Sequence, residues 1–315
     1  MGVGIHAHGA SDLKDNYRVR GMDVVRFSVV VPTFNRSDTL RQTLAALVGQ
    51  DYPDYEVIVV DDGSTDDTGE MVRQAFPGVH YLHQSNRGPA AARNAGIHAA
   101  SGEIIAFTDD DCLPPYNWLT RLADGYARHP EVVGVGGYLE APAEVLQHNI
   151  LARYERYMTR EHYGARDEEV VGGFECPAGG TCNMSYWRSV LIEVGGFDEG
   201  FRYAAGEDTD LKWRICRTGA QLLYMPIKVT HLQPYTFGSF RRQQIIRGRG
   251  AAHFERKHFG HAPSVARIVL RLAKRTVRFA GQVMGGHNYK LACVQLAAGW
   301  FDCWGQFLEI MCGRK

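Results

Sequence analysis

The sequence lacks an excess of charge, a paired-cysteine pattern and an uninterrupted apolar run long enough to cross a bilayer. Its 315 residues carry 35 basic and 35 acidic side chains, so the formal net charge is zero. The seven cysteines form no CxxC pair and match no zinc-ligand spacing, which predicts reduced thiols in a cytosolic compartment. A spanning helix needs about 20 apolar residues. Asp302 and Glu309 interrupt the strongest candidate, residues 291–311. We therefore expect this amphipathic segment to lie at a membrane interface or to pack against the protein, and not to span a bilayer.

The N-terminal region has no apolar core of the kind that a signal peptide requires, so export is not expected. Residues 1–25 show little periodicity and are predicted to be a loose tail, with Met22 as an alternative start. The composition, 45% hydrophobic and 22% charged, is that of an ordinary folded protein. Its length suits one large α/β domain plus an appendage.

Charge is distributed unevenly along the chain. Residues 241–315 contain 14 basic and 3 acidic side chains, whereas residues 1–240 contain 21 and 32. This asymmetry predicts either an anionic partner for the C-terminal part or mutual neutralisation of the two parts.

Four β-rich apolar runs alternate with three segments of helical periodicity in the first third of the chain. The strand-like runs are residues 27–31, 56–60, 79–84 and 103–108. The helix-like segments are residues 38–48, 66–76 and 88–100. We expect Pro32 to end the first strand and Ser37 to cap the first helix. The alternation predicts a mostly parallel sheet flanked by helices, within a domain at 26–260 and followed by a helical basic extension at 261–315.

Acidic clusters stand where predicted strands end. Asp61 and Asp62 follow the run 57–60, and residues 109–111 are three consecutive aspartates after the run 104–107. Glu207 and Asp208 open an amphipathic helix about 100 residues later. Ligands of open α/β sheets bind beyond the carboxyl ends of the strands. Carboxylates gathered there repel one another, and a divalent metal that carries a phosphate ligand would relieve that repulsion.

Six short motifs between residues 27 and 255 together resemble those of the family 2 glycosyltransferases. They are residues 29–36 (VVVPTFNR), 58–66 (IVVDDGSTD), 86–94 (NRGPAAARN), 107–111 (FTDDD), 195–198 (GGFD) and 207–211 (EDTDL). The resemblance implies a Rossmann-like GT-A fold and an inverting transfer from a nucleotide-activated sugar. Residues 244–248 (QIIRG) are similar to the QxxRW element of processive members, but glycine replaces the tryptophan, which argues against processive synthesis.

The resemblance also implies roles for individual side chains. Asp62 would accept a hydrogen bond from a uracil-like base, with Asp61 as the neighbouring alternative, and Arg93 would neutralise the pyrophosphate. The remaining nucleotide-sugar contacts are predicted at Pro32, Thr33, Asn35, Asp109, Asp110, Asn183 and Arg247. The residues at 61–66 are also good turn formers, so a structural role for Asp61 and Asp62 is the alternative.

The triple-aspartate motif resembles the family's DxD element, which implies a bound Mg²⁺ or Mn²⁺. Asp111 is the predicted first ligand, Asp109 the second, and His231 a third candidate that could instead be structural. Asp208 is the predicted base for the acceptor hydroxyl, with Glu207 as the alternative. Acidic residues also suit the first turn of a helix, which is the structural alternative for this pair.

Residues 265–283 are amphipathic when projected on a helix. One side carries an apolar stripe, and the opposite side carries Arg267, Arg271, Lys274, Arg275 and Arg278. This pattern is typical of a helix on an anionic membrane surface, and packing on the catalytic domain is the alternative. The prediction is therefore a peripheral protein on the inner face of the cell membrane. No motif for reading nucleic acid is present.

The expected enzyme moves a sugar from a nucleotide donor to an envelope saccharide or a lipid-linked glycan. A UDP-sugar is the expected donor, with GDP- and dTDP-sugars left open. A sugar nucleotidyltransferase should have a glycine-rich loop with a basic residue after the first strand, where this chain has residues 32–35 (PTFN). A non-catalytic nucleotide-sugar scaffold or sensor should have lost the acidic motifs, which are intact here.

Overall fold

The computed structural model describes residues 25–201, 203–284 and 289–312 as strands and helices that alternate in the first half. The strands are β1 (Phe27–Thr33), β2 (Tyr55–Asp61), β3 (His80–His83), β4 (Ile104–Phe107), β5 (Cys112–Leu113), β6 (Val132–Glu140), β7 (Val170–Gly172), β8 (Met184–Trp187) and β9 (Gln221–His231). The helices are α1 (Ser37–Leu47), α2 (Thr68–Ala75), α3 (Pro89–Ala99), α4 (Trp118–Arg128), α5 (Ala143–His148), α6 (Ile150–Tyr157), α7 (Arg188–Glu193), α8 (Glu207–Cys216), α9 (Phe237–Phe259), α10 (Val265–Met284) and α11 (Tyr289–Cys312).

The strands form one sheet in the order β3-β2-β1-β4-β8-β6-β9-β5, with β7 paired to β9. Strands β1 to β4 pair in parallel, whereas β8 runs antiparallel to both β4 and β6. The chain winds outward from β1 to β3 and then crosses back to place β4 on the other side of β1. This reversal opens a crevice between the carboxyl ends of β1 and β4, the usual ligand position in such sheets.

Helices cover both faces of the sheet and give the domain two apolar cores. Val29 and Val31 of β1 face one core with helix α1, and Val30 faces the other with helix α3, as the two-residue period of a strand requires. All three valines are fully buried. The predicted α/β class with flanking helices is therefore confirmed, and antiparallel strands join the parallel ones beyond β4.

The predicted end of the first strand at Pro32 is wrong, because β1 continues through Pro32 to Thr33. The carbonyl of Thr33 faces β2, where it accepts from the amide of Asp62 at 2.9 Å. Alternation turns Pro32 toward the β4 side, and the β4 ladder ends at the Val30–Phe107 pair. Proline is tolerated because no ladder bond is required of its nitrogen there.

The capping role predicted for Ser37 is also wrong. Ser37 is the first residue of α1, and its amide donates to Asp66 Oδ2 at 3.4 Å. Helices α5 and α6 are separated by Asn149. That side chain caps α6 by accepting from the amides of Leu151 and Ala152, at 2.9 and 3.2 Å.

Glycines bring α9 and α11 into direct backbone contact. A Cβ on Gly248 would lie 1.9 Å from the Asp302 carbonyl oxygen, and one on Gly305 would lie 2.0 Å from the Ile245 carbonyl oxygen. The tryptophan of the processive motif therefore has no space at position 248 in this packing. Among the described residues, no helix is long and apolar enough to cross a membrane.

Helix α10 is oriented differently from the prediction, since much of its basic side faces the protein. Arg267 and Arg271 pair with Glu255 at 2.9 and 3.1 Å, and Arg275 pairs with Asp302 at 3.1 Å. Three of the five cations expected to face an anionic surface are thus neutralised by carboxylates of α9 and α11. Apolar side chains are exposed instead, and those of α10 are Val265, Val269, Leu270, Val277, Val283 and Met284.

We predict that Gly248→Ala destabilises the protein by about 1–3 kcal/mol, the usual cost of overpacking, because the new methyl would meet the α11 backbone. The same substitution at Gly281 is the control, since no atom lies within 4 Å of the added carbon. Gly281→Ala should be neutral or stabilise α10 by up to about 1 kcal/mol. Urea unfolding measures both variants, and equal midpoints would contradict the described helix contact.

Candidate active site

The ends of β1 and β4 place a hydroxyl and three carboxylates around the crevice between them. Thr33 Oγ1 donates to Asp110 Oδ2 at 2.8 Å and so joins the two strands across the crevice. Asp110 and Asp111 are buried, and Asp109 is partly exposed. Three adjacent carboxylates need nearby positive charge because burial removes the water that would otherwise solvate them.

Arg36 provides part of that charge. Its Nη1 lies 3.1 Å from Asp110 Oδ1 and 2.7 Å from Asp111 Oδ2, while half of its side chain remains exposed. Sequence reasoning gave Arg36 no role, although it ends the first motif. The sequence signal for this role was an arginine shortly after β1. The strand order places it next to the carboxylates that follow β4.

His231 is the second partner of Asp111. The β5–β9 pairing sets His231 opposite Cys112, and His231 Nε2 lies 3.2 Å from Asp111 Oδ1. Burial opposes charge on this imidazole, but Asp111 outweighs it and raises the pKa of His231. Burial likewise opposes charge on Asp111, yet His231 and Arg36 lower its pKa to about 2. Neighbouring Asp110 behaves oppositely, since burial raises its pKa to about 7 despite Arg36.

The side chains around Asp111 fit a divalent metal. Potential ligand atoms of Asp111, Cys112 and His231 all lie within 4.8 Å of one another. Carboxylate and imidazole are ligands that first-row divalent ions accept. Asp109 is directed elsewhere, since its Oδ2 accepts from Cys182 Sγ at 2.9 Å and its Oδ1 accepts from Arg93. Its role as second ligand stays a prediction.

Arg93 joins the triple-aspartate motif to the acidic start of α8. Its Nη2 lies 3.0 Å from Asp109 Oδ1 and its Nη1 lies 2.9 Å from Glu207 Oε1. The side chain is buried, and its guanidinium also lies over the Phe197 ring at 5.6 Å. Arg93 was predicted beside the pyrophosphate, and the structure shows it as the link between the two acidic motifs.

Glu207 and Asp208 occupy different environments despite being adjacent. Glu207 is buried, and burial with the charge of Asp208 raises its pKa above the usual range, against the effect of Arg93. Asp208 is partly exposed, and its Oδ1 accepts from the amide of Thr209 at 2.7 Å. Of the two carboxylates, Asp208 is the one that an approaching molecule can reach.

The two aspartates at the end of β2 both bind backbone amides. Asp62 accepts from the amides of Arg87 and Gly88, at 2.9 and 2.7 Å, and from Gln84 Nε2 at 2.7 Å. Asp61 accepts from the amide of Ser64 at 2.7 Å. These bonds give Asp61 and Asp62 the structural role that was the alternative to binding a nucleotide base. A carboxylate has about four acceptor positions, so Asp62 retains one for a ligand.

Asn35 and Asn183 are held by protein contacts. Asn35 has φ +53°, and its Oδ1 accepts from the amide of Thr65 at 2.7 Å, which ties the first two motifs together. Asn183 is buried, accepts from Trp118 Nε1 at 2.9 Å, and donates to the carbonyl of Ile227 at 2.9 Å. Their predicted donor contacts stay predictions.

Arg247 is likewise engaged within the protein. Its Nη1 and Nη2 lie 3.1 and 2.9 Å from the two carboxylate oxygens of Glu155. The negative charge of Glu155 raises the pKa of Arg247, although burial opposes this. This bidentate pair fastens α9 to α6, and a donor contact by Arg247 stays a prediction.

The sequence matches the family model described as "Glycosyl transferase family 2" over residues 28–195. The chain therefore belongs to that family. It is 34% identical over 205 residues to the pre-mycofactocin glycosyltransferase of Mycobacterium tuberculosis, covering 64% of this chain and 41% of that protein. It is 29% identical over 236 residues to the chondroitin synthase of Escherichia coli, covering 65% and 34%. The chain thus spans less than half the length of these relatives.

Two solved structures share the fold. The mannosyltransferase PcManGT from Pyrobaculum calidifontis, in complex with GDP-Man and Mn²⁺, matches with a TM-score of 0.60 and 20% identity, covering 95% of this chain and 96% of that one. GalNAc-T7 with UDP, GalNAc and Mn²⁺ matches with a TM-score of 0.52 and 15% identity, covering 74% and 50%. The predicted GT-A fold is confirmed.

We predict that Arg93→Met costs about 3–5 kcal/mol of unfolding free energy, because it leaves the carboxylates of Asp109 and Glu207 without their shared partner. Arg87→Met is the matched control. Arg87 pairs with Glu199 at 2.7 Å, with side chains 60% and 39% exposed, so its loss should cost at most about 1 kcal/mol. Equal losses in chemical denaturation would show that the Arg93 link is not needed for stability.

Proposed function

We propose that this chain is a metal-dependent, inverting and non-processive glycosyltransferase. It takes a sugar from a nucleotide-diphosphate donor, for which a UDP-sugar is the first choice, to a saccharide or lipid-linked acceptor. The observation that carries the proposal is the buried link Asp109–Arg93–Glu207, which holds the candidate metal motif and the candidate base motif in a fixed relation.

Asp111 and His231 would hold the metal, Mg²⁺ or Mn²⁺, and Asp109 remains the further candidate ligand. When bound, the metal neutralises the charge that develops on the leaving diphosphate. The Mn²⁺ complexes of the two fold relatives, one with GDP-Man and one with UDP, support a divalent metal and a nucleotide-sugar donor. Thr33 ends β1, which borders the donor crevice, and Asp62 follows the neighbouring strand β2.

Asp208 would remove the proton of the acceptor hydroxyl. In an inverting transfer the hydroxyl attacks from the side opposite the leaving diphosphate, so the base and the diphosphate-binding groups must face each other across the sugar. Asp208 lies in the first turn of α8, Asp111 follows β4, and the Arg93 link sets the relation between these two elements. Its partial exposure supports it over the buried Glu207, whose oxygen Oε1 is bound to Arg93.

The close contact of α9 with α11 at Gly248 supports a non-processive enzyme. A side chain that stacks on a growing glycan cannot be accommodated where the added Cβ alone would meet a backbone oxygen at 1.9 Å.

We further propose that the protein works at the surface of a membrane, on its cytoplasmic side, through an exposed apolar face of α10 and α11. Besides the apolar residues of α10, Trp300 and Trp304 of α11 are each 53% exposed. Tryptophan favours the membrane–water interface because its ring is apolar and its N–H is polar. The mode of binding differs from the expected one, since burial of apolar surface supplies more of the affinity than the basic residues do.

We predict that turnover of the nucleotide sugar needs Mg²⁺ or Mn²⁺ and stops in excess chelator. Asp111→Asn should weaken metal-dependent nucleotide binding by about tenfold or more, since it removes a charged ligand. Asp124→Asn, an exposed carboxylate on α4, is the control and should leave binding unchanged. Full turnover in excess chelator would contradict the metal assignment.

We expect Asp208→Asn to lower kcat by about 10²–10⁴, the usual contribution of a general base. Donor affinity should change little because this carboxylate faces the acceptor. Steady-state kinetics and donor titration distinguish these effects. Near-full turnover of Asp208→Asn would refute the assignment, and a large loss of donor affinity would place Asp208 in the nucleotide site.

We predict that the double substitution Leu270→Gln and Val277→Gln weakens vesicle binding, because these residues are 55% and 72% exposed on the apolar face. Val48→Gln is the control, at 50% exposure on the catalytic domain. Co-sedimentation with anionic vesicles measures the effect, and wild-type binding should persist in moderate salt. Binding that salt abolishes, with no effect of the double variant, would instead favour attraction by the remaining cations.

A further inference from the structure

A pocket of about 240 Å³ lies beside the N-terminal half of α9. Its lining consists of Tyr203, Gly238, Arg241, Arg242, Ile245, Ile246 and Arg249. Most of these residues recur at intervals of three or four along α9 and therefore share one side of the helix. Ile245 and Ile246 lie within residues 244–248 (QIIRG), and none of the lining residues belongs to the six motifs that resemble those of the family.

The pocket presents positive charge that the protein leaves largely uncompensated. Arg241 and Arg242 are exposed, and neither forms an ion pair within the described ranges of the chain. Arg249 is held in place, since its Nε lies 3.2 Å from Glu309 Oε2 and its guanidinium lies 4.3 Å from the centre of the Tyr203 ring. Guanidinium groups bind phosphate with paired, charge-assisted hydrogen bonds, so a phosphate group suits this lining.

The other part of the lining is apolar. Ile245 and Ile246 are partly exposed beside the arginines. The backbone of Ile245 contacts Gly305, and the preceding residue, Trp304, is exposed on the apolar face proposed to meet the membrane. A ligand that joins a phosphate to an apolar chain matches both the pocket and the surface next to it.

The pocket also adjoins the start of α8, where the candidate base lies. Tyr203 precedes Glu207 by four residues in the same loop. Gly250 packs so closely on this loop that a Cβ there would lie 2.2 Å from the Ala205 carbonyl oxygen. Through Tyr203 the pocket therefore meets the loop that leads to Asp208.

We propose that this pocket binds the phosphate of a lipid-linked sugar acceptor, with Arg241 and Arg242 as the phosphate ligands. The inference rests on the proposed transferase function and assigns its acceptor class. The lipid chain leaves the pocket along Ile245 toward the exposed Trp304. The sugar on this phosphate would carry the hydroxyl from which Asp208 removes the proton.

The test uses the full chain and calorimetric titration with farnesyl phosphate, farnesol and inorganic phosphate. Farnesyl phosphate should bind at least about tenfold more tightly than farnesol, as expected for charge-assisted hydrogen bonds. It should also bind more tightly than inorganic phosphate, which lacks the apolar chain. In the double variant Arg241→Gln and Arg242→Gln its affinity should fall about tenfold or more, with farnesol binding unchanged. Arg41→Gln, an exposed arginine on α1, should behave like wild type.

Equal affinity for farnesol and farnesyl phosphate would overturn the proposal, as would a double variant that retains wild-type affinity. Inorganic phosphate that binds as tightly as farnesyl phosphate would overturn the lipid assignment. Hydrolysis of nucleotide sugar by wild-type protein without any lipid tests the transferase function separately. A protein that hydrolyses the donor but ignores farnesyl phosphate would refute only the acceptor assignment.

Discussion

Repulsion between buried carboxylates is the constraint on which the arrangement of this protein depends. Asp110, Asp111 and Glu207 are all buried near the same edge of the sheet, and Asp109 stands beside them. Burial strengthens their mutual repulsion because it lowers the effective dielectric constant around them. Cations in direct contact stabilise such a cluster, and Arg36 and His231 come from parts of the chain far from the carboxylates that they contact.

The compensating groups differ in how firmly they are held. Arg93 is buried between Asp109 and Glu207, so it fixes the spacing of the two acidic motifs. Arg36 is half exposed and contacts Asp110 and Asp111 through Nη1, and His231 contacts Asp111 through Nε2. In the proposed mechanism, Arg93 keeps the two acidic motifs in position. Arg36 and His231 neutralise the charge of Asp111, and a bound metal would take over that neutralisation.

The alternation of strands and helices was predictable because buried parallel strands form continuous apolar runs, and the acidic residues at their ends could be located in the same way. Partners far apart in sequence could not be identified. Arg93 contacts Glu207 across 114 positions, and nothing local to either residue indicates the other. Periodicity also predicted two sides for α10 but not which side faces inward, since that depends on carboxylates of α9 and α11. Gly248 departs from the QxxRW element in the sequence. The reason for the glycine is the α11 backbone, which lies against it in the structure.

The central claim is that Asp111 and His231 hold a divalent metal together with the donor diphosphate. Anomalous diffraction at the manganese edge, from crystals grown with Mn²⁺ and UDP, tests it most directly. One strong peak is expected within about 2.0–2.3 Å of an Asp111 carboxylate oxygen and an imidazole nitrogen of His231, the usual range of metal–ligand bonds of this kind. A peak bound to other residues, or bound UDP with no manganese at Asp111, would refute the assignment of Asp111 and His231 as metal ligands.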